Sequence, residues 1–269
     1  MEEKLDFKKI LPIFIIVLID LLGLTIIIPM MPLYAVSFGA DPIALGLLGA
    51  VYPAAQFVGA PLLGRLSDKI GRRPVLLLSQ MGTLIGFILL GTAHSLWMLY
   101  LSRFIDGLSG ANISTAQAVI SDVTSEKTRT KGMGLIGAAF GIGFIIGPVI
   151  AFAGLMLSGD NYHVPAFIAA GFSLYSIFLT IFLLDETHSK DAKHAASHKP
   201  AFSTAELVRS LRKPHIGFLL LLLFLQQIAF GGMEQFLSIL HLGSSECMHL
   251  SMPSSLSMWD FSSFWCREK

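Results

Sequence analysis

Charged residues are scarce in this chain of 269 residues, where Asp, Glu, Lys and Arg together make up 14%. Soluble domains usually contain about 25%, so the composition excludes an ordinary soluble globular domain. The net charge is only +1. Such a balance gives no concentrated basic face and excludes nucleic acid as a partner. Cysteine is also rare: Cys247 and Cys266 both lie close to the carboxy terminus and indicate neither a redox compartment nor a metal site.

The chain lacks the short motifs of soluble enzymes. It contains no phosphate-binding Walker loop, no His-Glu-x-x-His zinc motif and no nucleophile elbow. We therefore expect no enzymatic activity, no cofactor and no ATP-driven transport by this chain alone. Three histidines in the polar middle of the chain favour a solvated linker over a metal site: His188, His194 and His198.

Most of the sequence consists of long apolar runs. Seven of them are long enough to cross the roughly 30 Å hydrocarbon core of a bilayer as helices: residues 10–34, 43–63, 74–93, 96–120, 132–157, 164–184 and 214–240. The first run is too long for a signal peptide and has an acid, Asp20, in its middle, so we interpret it as a retained helix. These runs predict an all-α polytopic membrane protein in contact with the lipid bilayer.

The linkers between the runs alternate sharply in positive charge. The amino terminus and the second, fourth and sixth linkers contain most of the chain's 19 Lys and Arg residues. The linkers at 35–42, 94–95 and 158–163 contain none. Because Lys and Arg are enriched in cytoplasmic loops, we predict a multi-pass protein of the cell's inner (plasma) membrane with a cytoplasmic amino terminus.

The spacing of the runs predicts four parts. Residues 1–184 form a six-helix transmembrane bundle, 185–213 a polar cytoplasmic central linker, and 214–241 a seventh transmembrane helix. Residues 242–269 are rich in serine and have no helical period. This tail is interpreted either as the product of a reading-frame shift or as a genuine short extracytoplasmic end, and we favour the first. No carboxy-terminal bundle is predicted.

The stretch Gly64–Leu76, between the second and third runs, is strongly basic and reads GRLSDKIGRRPVL. Gly64 and Gly71 permit tight backbone turns. Asp68 and Arg72 are four residues apart, so they would contact each other across one helical turn. A cytoplasmic turn explains the charges but not the spacing of glycines and acid.

That spacing, G-x-x-x-D-x-x-G-R-R, resembles the loop signature of the major facilitator superfamily. The resemblance implies that Asp68 and Arg72, beside Arg73, form a conformation-sensitive cluster with an acid that ends the fourth helix. Asp122 lies at the matching place. By resemblance these residues latch the outward-facing state, with an ordinary helix-end charge as the alternative for Asp122.

Asp20 lies about ten residues from the cytoplasmic start of the first helix, which is roughly 15 Å deep at 1.5 Å per residue. A carboxylate there costs about 2.5–3.5 kcal/mol, so it must face a cavity or partner, or be protonated. Its context, IDLLGLTIIIPMMP, resembles the first helix of drug/proton antiporters, notably the tetracycline efflux proteins. The resemblance implies a proton-coupling role, with an acid hydrogen-bonded inside the bundle as the alternative.

The fourth run contains Arg103 and Asp106, which are three apart and share a helix face. The pattern from Leu99 to Ala111, L-x-x-x-R-x-x-x-G-x-x-G-A, resembles the superfamily's fourth-helix motif, whose arginine is linked to proton transfer. Asp106 departs from that motif. Two alternatives stay open: Arg103 relays protons, or Asp106 holds it in an ion pair.

The fifth run contains two small-xxx-small pairs, Gly137/Gly141 and Gly143/Gly147, which let helices pack closely. Pro148 removes a backbone hydrogen bond and favours a bend. With Gly147-Pro148 the stretch resembles the antiporter signature of the exporters in the superfamily, although packing alone would also explain the glycines.

The resemblance covers about residues 6–236 and predicts a secondary transporter that exports a small amphipathic, tetracycline-like drug in exchange for protons by alternating access. Its partners would be the small-molecule substrate and protons. Gln226 and Gln227, near mid-depth in the seventh run, are predicted to line the substrate path. The alternative is a truncated, non-transporting membrane fragment, or a half-transporter that needs a second bundle or a dimer partner, since such transporters have about twelve helices.

Overall fold

A computed structural model of the protein describes residues 7–187, 217–219, 221–222 and 224–226. The chain divides into two compact units, residues 1–212 and 213–269. The described residues of the second unit are helical. The first unit contains seven described helices: α1 Phe7–Ser37, α2 Pro42–Ile70, α3 Arg72–Gly91, α4 Leu96–Ser109, α5 Asn112–Val123, α6 Glu126–Ser158 and α7 His163–Leu183.

Five of these helices, α1, α2, α3, α6 and α7, are long and apolar enough to cross a membrane. The fold is therefore that of an all-α polytopic membrane protein, which confirms the prediction from the apolar runs. The seventh predicted span is only partly described. The rest of that span, the linker beyond residue 187 and the tail lie outside the described residues, so the predicted domain boundaries stay predictions.

The fourth predicted span, residues 96–120, is not a single helix, and this prediction was wrong. It is divided into α4 and α5 at Gly110 and Ala111. The Ala111 N–H donates to the Ser109 carbonyl at 2.7 Å and to Ser79 Oγ of α3 at 3.1 Å. The Gly110 carbonyl accepts from Gln56 Nε2 of α2 at 2.8 Å. Neighbouring helices thus supply the hydrogen bonds that an uninterrupted helix would have supplied itself.

The predicted loop within Gly64–Leu76 is reduced to one residue. Helix α2 continues to Ile70 and α3 begins at Arg72, so Gly71 alone joins them. Its φ of 119° and ψ of 164° lie where a residue with a Cβ atom is strained. The basic stretch is therefore two helix ends that meet at a glycine, and this junction fixes the positions of Asp68 and Arg72.

Helix ends elsewhere follow ordinary capping chemistry. Asp41 accepts a hydrogen bond from the Ala44 N–H at 2.7 Å and precedes the proline that begins α2. Ser125 and Thr128 form a capping box at the start of α6. The basic residues that follow Ser125 consequently lie on the first turns of α6 and not in a loop.

The core of the first unit has two apolar clusters, one towards each end of the helices. One contains Ile10, Leu76 and Ile120 near the start of α1, and the other contains Tyr34 and Phe87 near its end. Helix α1 packs chiefly against α6 and α7, and α3 packs chiefly against α4 and α7. Between the two clusters these helices bury polar side chains, and burial of that kind requires partners inside the protein.

Candidate functional site

Six polar side chains lie between the two apolar clusters and are called the central layer here. They come from four helices: Asp20 of α1, Gln80 and Thr83 of α3, Arg103 and Asp106 of α4, and Ser176 of α7. Five of the six are buried, so the protein itself must compensate most of their polar groups.

The Asp20 carboxylate is hydrogen-bonded through one of its oxygens, Oδ2. Gln80 Nε2 donates to Asp20 Oδ2 at 3.2 Å and to Ser176 Oγ at 2.8 Å. The Ser176 hydroxyl in turn donates to the Ile16 carbonyl of α1 at 3.3 Å. Among the described residues, Asp20 Oδ1 is buried without a hydrogen-bond partner and no cation pairs with the carboxylate. This oxygen is a buried acceptor to which no group donates in the described part of the chain.

Arg103 and Asp106 form an ion pair on one face of α4. The distance from Arg103 Nη1 to Asp106 Oδ2 is 3.0 Å, and their side chains are 6% and 2% exposed. Thr83 contributes a hydrogen bond to Asp106. The guanidinium carbon lies 6.0 Å from the ring centre of Tyr52 and 5.7 Å from that of Phe87, within cation–π range. Of the two alternatives for Arg103, the structure shows the ion pair.

A narrow cleft with a cavity volume of about 30 Å³ opens onto the central layer. Its polar lining comes from Asp20, Tyr52, Gln56, Thr83, Asp106 and Asn112. The interruption between α4 and α5 borders the cleft, because Gly110 also lines it. Since Asp106 is paired with Arg103, Asp20 is the lining carboxylate whose charge has no partner among the described residues. A cavity of this size has room for about two water molecules and lies directly against the Asp20 carboxylate.

A second group of charges lies where α2 meets α3 and is called the end cluster here: Asp68, Arg72, Asp122 and Glu186. Arg72 Nε donates to Asp122 Oδ2 at 2.9 Å and Arg72 Nη1 donates to Asp68 Oδ1 at 2.7 Å. The side chain of Arg72 is 10% exposed, that of Asp122 24% and that of Asp68 49%. The structure thus brings together the three residues that the sequence and the resemblance placed in one cluster.

Glu186, just after α7, was not predicted as part of this cluster. Its carboxylate accepts the backbone N–H of Arg72 at 2.9 Å, where a helix amide has no partner in its own helix. In the other direction, Arg73 Nη2 donates to the Ile181 carbonyl near the end of α7. Its position in the sequence was the signal that could have identified it. Glu186 follows the sixth apolar run, just as Asp122 follows the fourth.

The predicted glycine pairs of the fifth run differ in their surroundings on α6. At Gly147 a Cβ atom would collide with Oγ1 of Thr25 on α1, so this glycine allows the two helices to approach closely. Gly137 and Gly141 have open space at the corresponding position, as does Gly64 on α2. Helix α6 continues through Pro148 without interruption.

The described structure does not test the two predicted glutamines of the seventh run. Gln226 is exposed and belongs to the second unit, and Gln227 lies outside the described residues. Their role in a substrate path stays a prediction.

Sequence reasoning missed Gln80, Tyr52 and Gln56. Each is a polar side chain inside an apolar run, where such residues are uncommon and often functional. That signal was present in the sequence, but no motif singled these positions out.

The chain is similar to known membrane proteins over most of its length. The family model of the Major Facilitator Superfamily matches residues 13–264. The tetracycline resistance protein of class E from Escherichia coli is 37% identical over 226 residues, 82% of this chain and 55% of that protein. The class B protein from Escherichia coli is 41% identical over 177 residues, 64% of this chain and 43% of that protein. The chain spans about half the length of the curated relatives it matches.

Solved structures agree with this likeness. The crystal structure of the human organic anion transporter MFSD10 superposes with a TM-score of 0.62 at 28% identity, covering 71% of this chain and 50% of that one. The helical architecture, the charged junction between α2 and α3 and the sequence matches lead to one conclusion: the chain belongs to the Major Facilitator Superfamily.

Proposed function

We propose that the chain acts in secondary active transport and exports a small amphipathic, tetracycline-like drug in exchange for protons. Alternating access would expose the cleft first to one side of the membrane and then to the other. Asp20 would be the proton site, and the Arg103–Asp106 pair would tune its electrostatic surroundings. The tetracycline resistance proteins at 36–41% identity support this choice of substrate class.

The observation that carries the proposal is the state of Asp20 in the cleft. Its carboxylate lines the cleft, one oxygen is fixed by Gln80, and the other has no hydrogen-bond partner among the described residues. A carboxylate at membrane depth is costly, and the few that occur there usually serve a function. An uncompensated oxygen beside this cleft allows a proton and a substrate to affect each other's binding.

The end cluster has a conformational role in the proposal. Arg72 joins α2, α3 and α5 through Asp68 and Asp122, and its backbone joins the end of α7 through Glu186. Such a set of contacts holds four helix ends in one arrangement. We propose that this arrangement is kept in the outward-facing state and is released when the transporter opens inward.

The orientation follows from the distribution of charge. Basic residues at the end of α2, the start of α3 and the start of α6 lie at the same end of the bundle as the start of α1. By the positive-inside rule this end faces the cytoplasm of a cell whose inner membrane holds the protein.

A second candidate is a half-transporter or a non-transporting fragment. It is favoured by one observation: the chain corresponds to about half the length of its curated relatives. In this case the cleft and the end cluster would be present, but export would require a second bundle from another chain.

The experiment is accumulation of tetracycline in bacterial cells that express the chain, compared with an Asp20→Asn variant inserted in the membrane to the same level. The proposal expects lower accumulation with the wild-type chain, and no reduction with Asp20→Asn or after a protonophore collapses the proton gradient. Equal export by both proteins would remove Asp20 from the mechanism.

If neither protein lowers accumulation, a fusion of residues 1–212 to the carboxy-terminal half of the class B relative separates the two candidates. Export by the fusion, lost again with Asp20→Asn, identifies the half-transporter. A fusion that inserts in the membrane and still exports nothing contradicts both the transporter and the half-transporter.

A further inference from the structure

Gln80 is a fully buried amide in the middle of α3 that no motif in the sequence singled out. Its Nε2 group is shared between two side chains, Asp20 Oδ2 at 3.2 Å and Ser176 Oγ at 2.8 Å. A buried amide has two N–H donors, and both are used here. The side chain therefore connects α1 to α7 through α3.

The backbone around this amide is fixed by the same helices. Ser173 Oγ donates to the Gln80 carbonyl at 3.3 Å, and Ser176 Oγ donates to the Ile16 carbonyl of α1 at 3.3 Å. All three side chains, Gln80, Ser173 and Ser176, are buried. Gln80 Oε1 has no hydrogen-bond partner in the described residues, so the two bonds from Nε2 are what hold the side chain against Asp20 and Ser176.

The consequence concerns which oxygen of Asp20 remains available. Gln80 occupies Oδ2, and in the described part of the chain Oδ1 has no hydrogen-bond partner. A proton that binds Asp20 at Oδ1 leaves Oδ2 as a carbonyl oxygen that still accepts from Gln80. A proton at Oδ2 would instead turn the oxygen that accepts from Gln80 into a hydroxyl oxygen, which is a weaker acceptor.

We propose that Gln80, supported by Ser176, is a positioning residue that fixes the Asp20 carboxyl so that Oδ1 is the oxygen that binds the exchanged proton. The assignment of a proton to Asp20 rests on the proposed function. The contact between Gln80 and Asp20, and the choice of oxygen that follows from it, do not depend on transport.

The test uses infrared difference spectra of the purified full chain in lipid vesicles, recorded between acidic and alkaline buffer. The carbonyl stretch of protonated Asp20 is the band that Asp20→Asn removes. A hydrogen bond to a carbonyl oxygen lowers its stretching frequency, so Gln80→Leu, which keeps the volume and removes the donor, should move this band to higher frequency. Ser176→Ala, which removes one support of the amide, should move it less.

Thr180→Val is the matched control. Thr180 is fully buried on α7 one turn from Ser176, and its hydroxyl has no partner in the described residues. This variant should leave the Asp20 band in place. An unchanged band in Gln80→Leu overturns the proposal, and so does a shift of equal size in Thr180→Val.

A double-mutant cycle measured by thermal unfolding distinguishes a failure of the Gln80 proposal from a failure of the proposed function. Asp20→Ala and Gln80→Leu, singly and together, should change the unfolding midpoint non-additively, because the two side chains are in contact. If no band depends on Asp20, the proton role in the proposed function fails. In that case additive effects in the cycle overturn the positioning role of Gln80, whereas non-additive effects retain it.

Discussion

The central layer and the end cluster each bring an arginine together with carboxylates, the first midway along the helices and the second at one end. In the end cluster Arg72 contacts Asp68, Asp122 and Ser67, and its carboxylates are partly exposed. In the central layer Arg103 has one acidic partner, Asp106, and its Nε and Nη2 atoms have none among the described residues.

This difference indicates different tasks. Water can solvate the acids of the end cluster when their contacts break, so the cluster can open and close at moderate cost. The ion pair of the central layer is almost fully buried, and a charge left alone there is expensive. Under the proposed function, the end cluster changes its arrangement and the central layer changes its charge at Asp20.

The largest effect should come from breaking the ion pair of the central layer. Arg103→Leu leaves the Asp106 carboxylate buried without its cation, which should destabilise the protein by about 3–5 kcal/mol. Thermal unfolding in detergent, followed by the loss of helical circular dichroism, measures this.

The control is the double variant Arg103→Leu/Asp106→Leu, which removes both charges. It should recover most of the lost stability, because well-packed apolar residues can replace a buried ion pair. A double variant as unstable as Arg103→Leu would show that the arginine contributes by packing and not by charge.

A smaller effect is expected at the end cluster. Arg72→Ala removes the hydrogen bonds to Asp122 and Asp68, and bonds to charged groups are worth about 1.5–3 kcal/mol, here reduced by solvent. The loss of unfolding free energy should therefore be clearly smaller than for Arg103→Leu. Lys69→Ala, which removes an exposed cation at the end of α2 three residues before Arg72, serves as control and should change stability little. An Arg72→Ala variant as unstable as Arg103→Leu would break the distinction between the two regions.

Much of the fold follows from patterns within single helices. Apolar runs of membrane length locate α1, α2, α3, α6 and α7. Each run can be recognised alone, because a helix forms its backbone hydrogen bonds within its own segment. The contact of Asp68 with Arg72 follows from a spacing of four residues. Asp122 joins them from 50 residues away, and only the resemblance to a family pointed to it.

The remaining features depend on partners from distant segments. The interruption at Gly110 needs Gln56 of α2 and Ser79 of α3, which no window around residue 110 contains. Gln80 and Glu186 gain their importance from contacts with Asp20 and with the Arg72 amide. Such contacts are long-range, so local propensity and periodicity could not predict them.

Proton release on binding of tetracycline tests the central claim most directly. The purified chain is placed in weakly buffered detergent solution with a pH indicator, and the drug is added at equal pH. We predict that the wild-type chain and Arg72→Ala release protons, because the central layer is intact in both, and that Asp20→Asn releases none. Equal release from Asp20→Asn and the wild-type chain would contradict the assignment of the exchanged proton to Asp20.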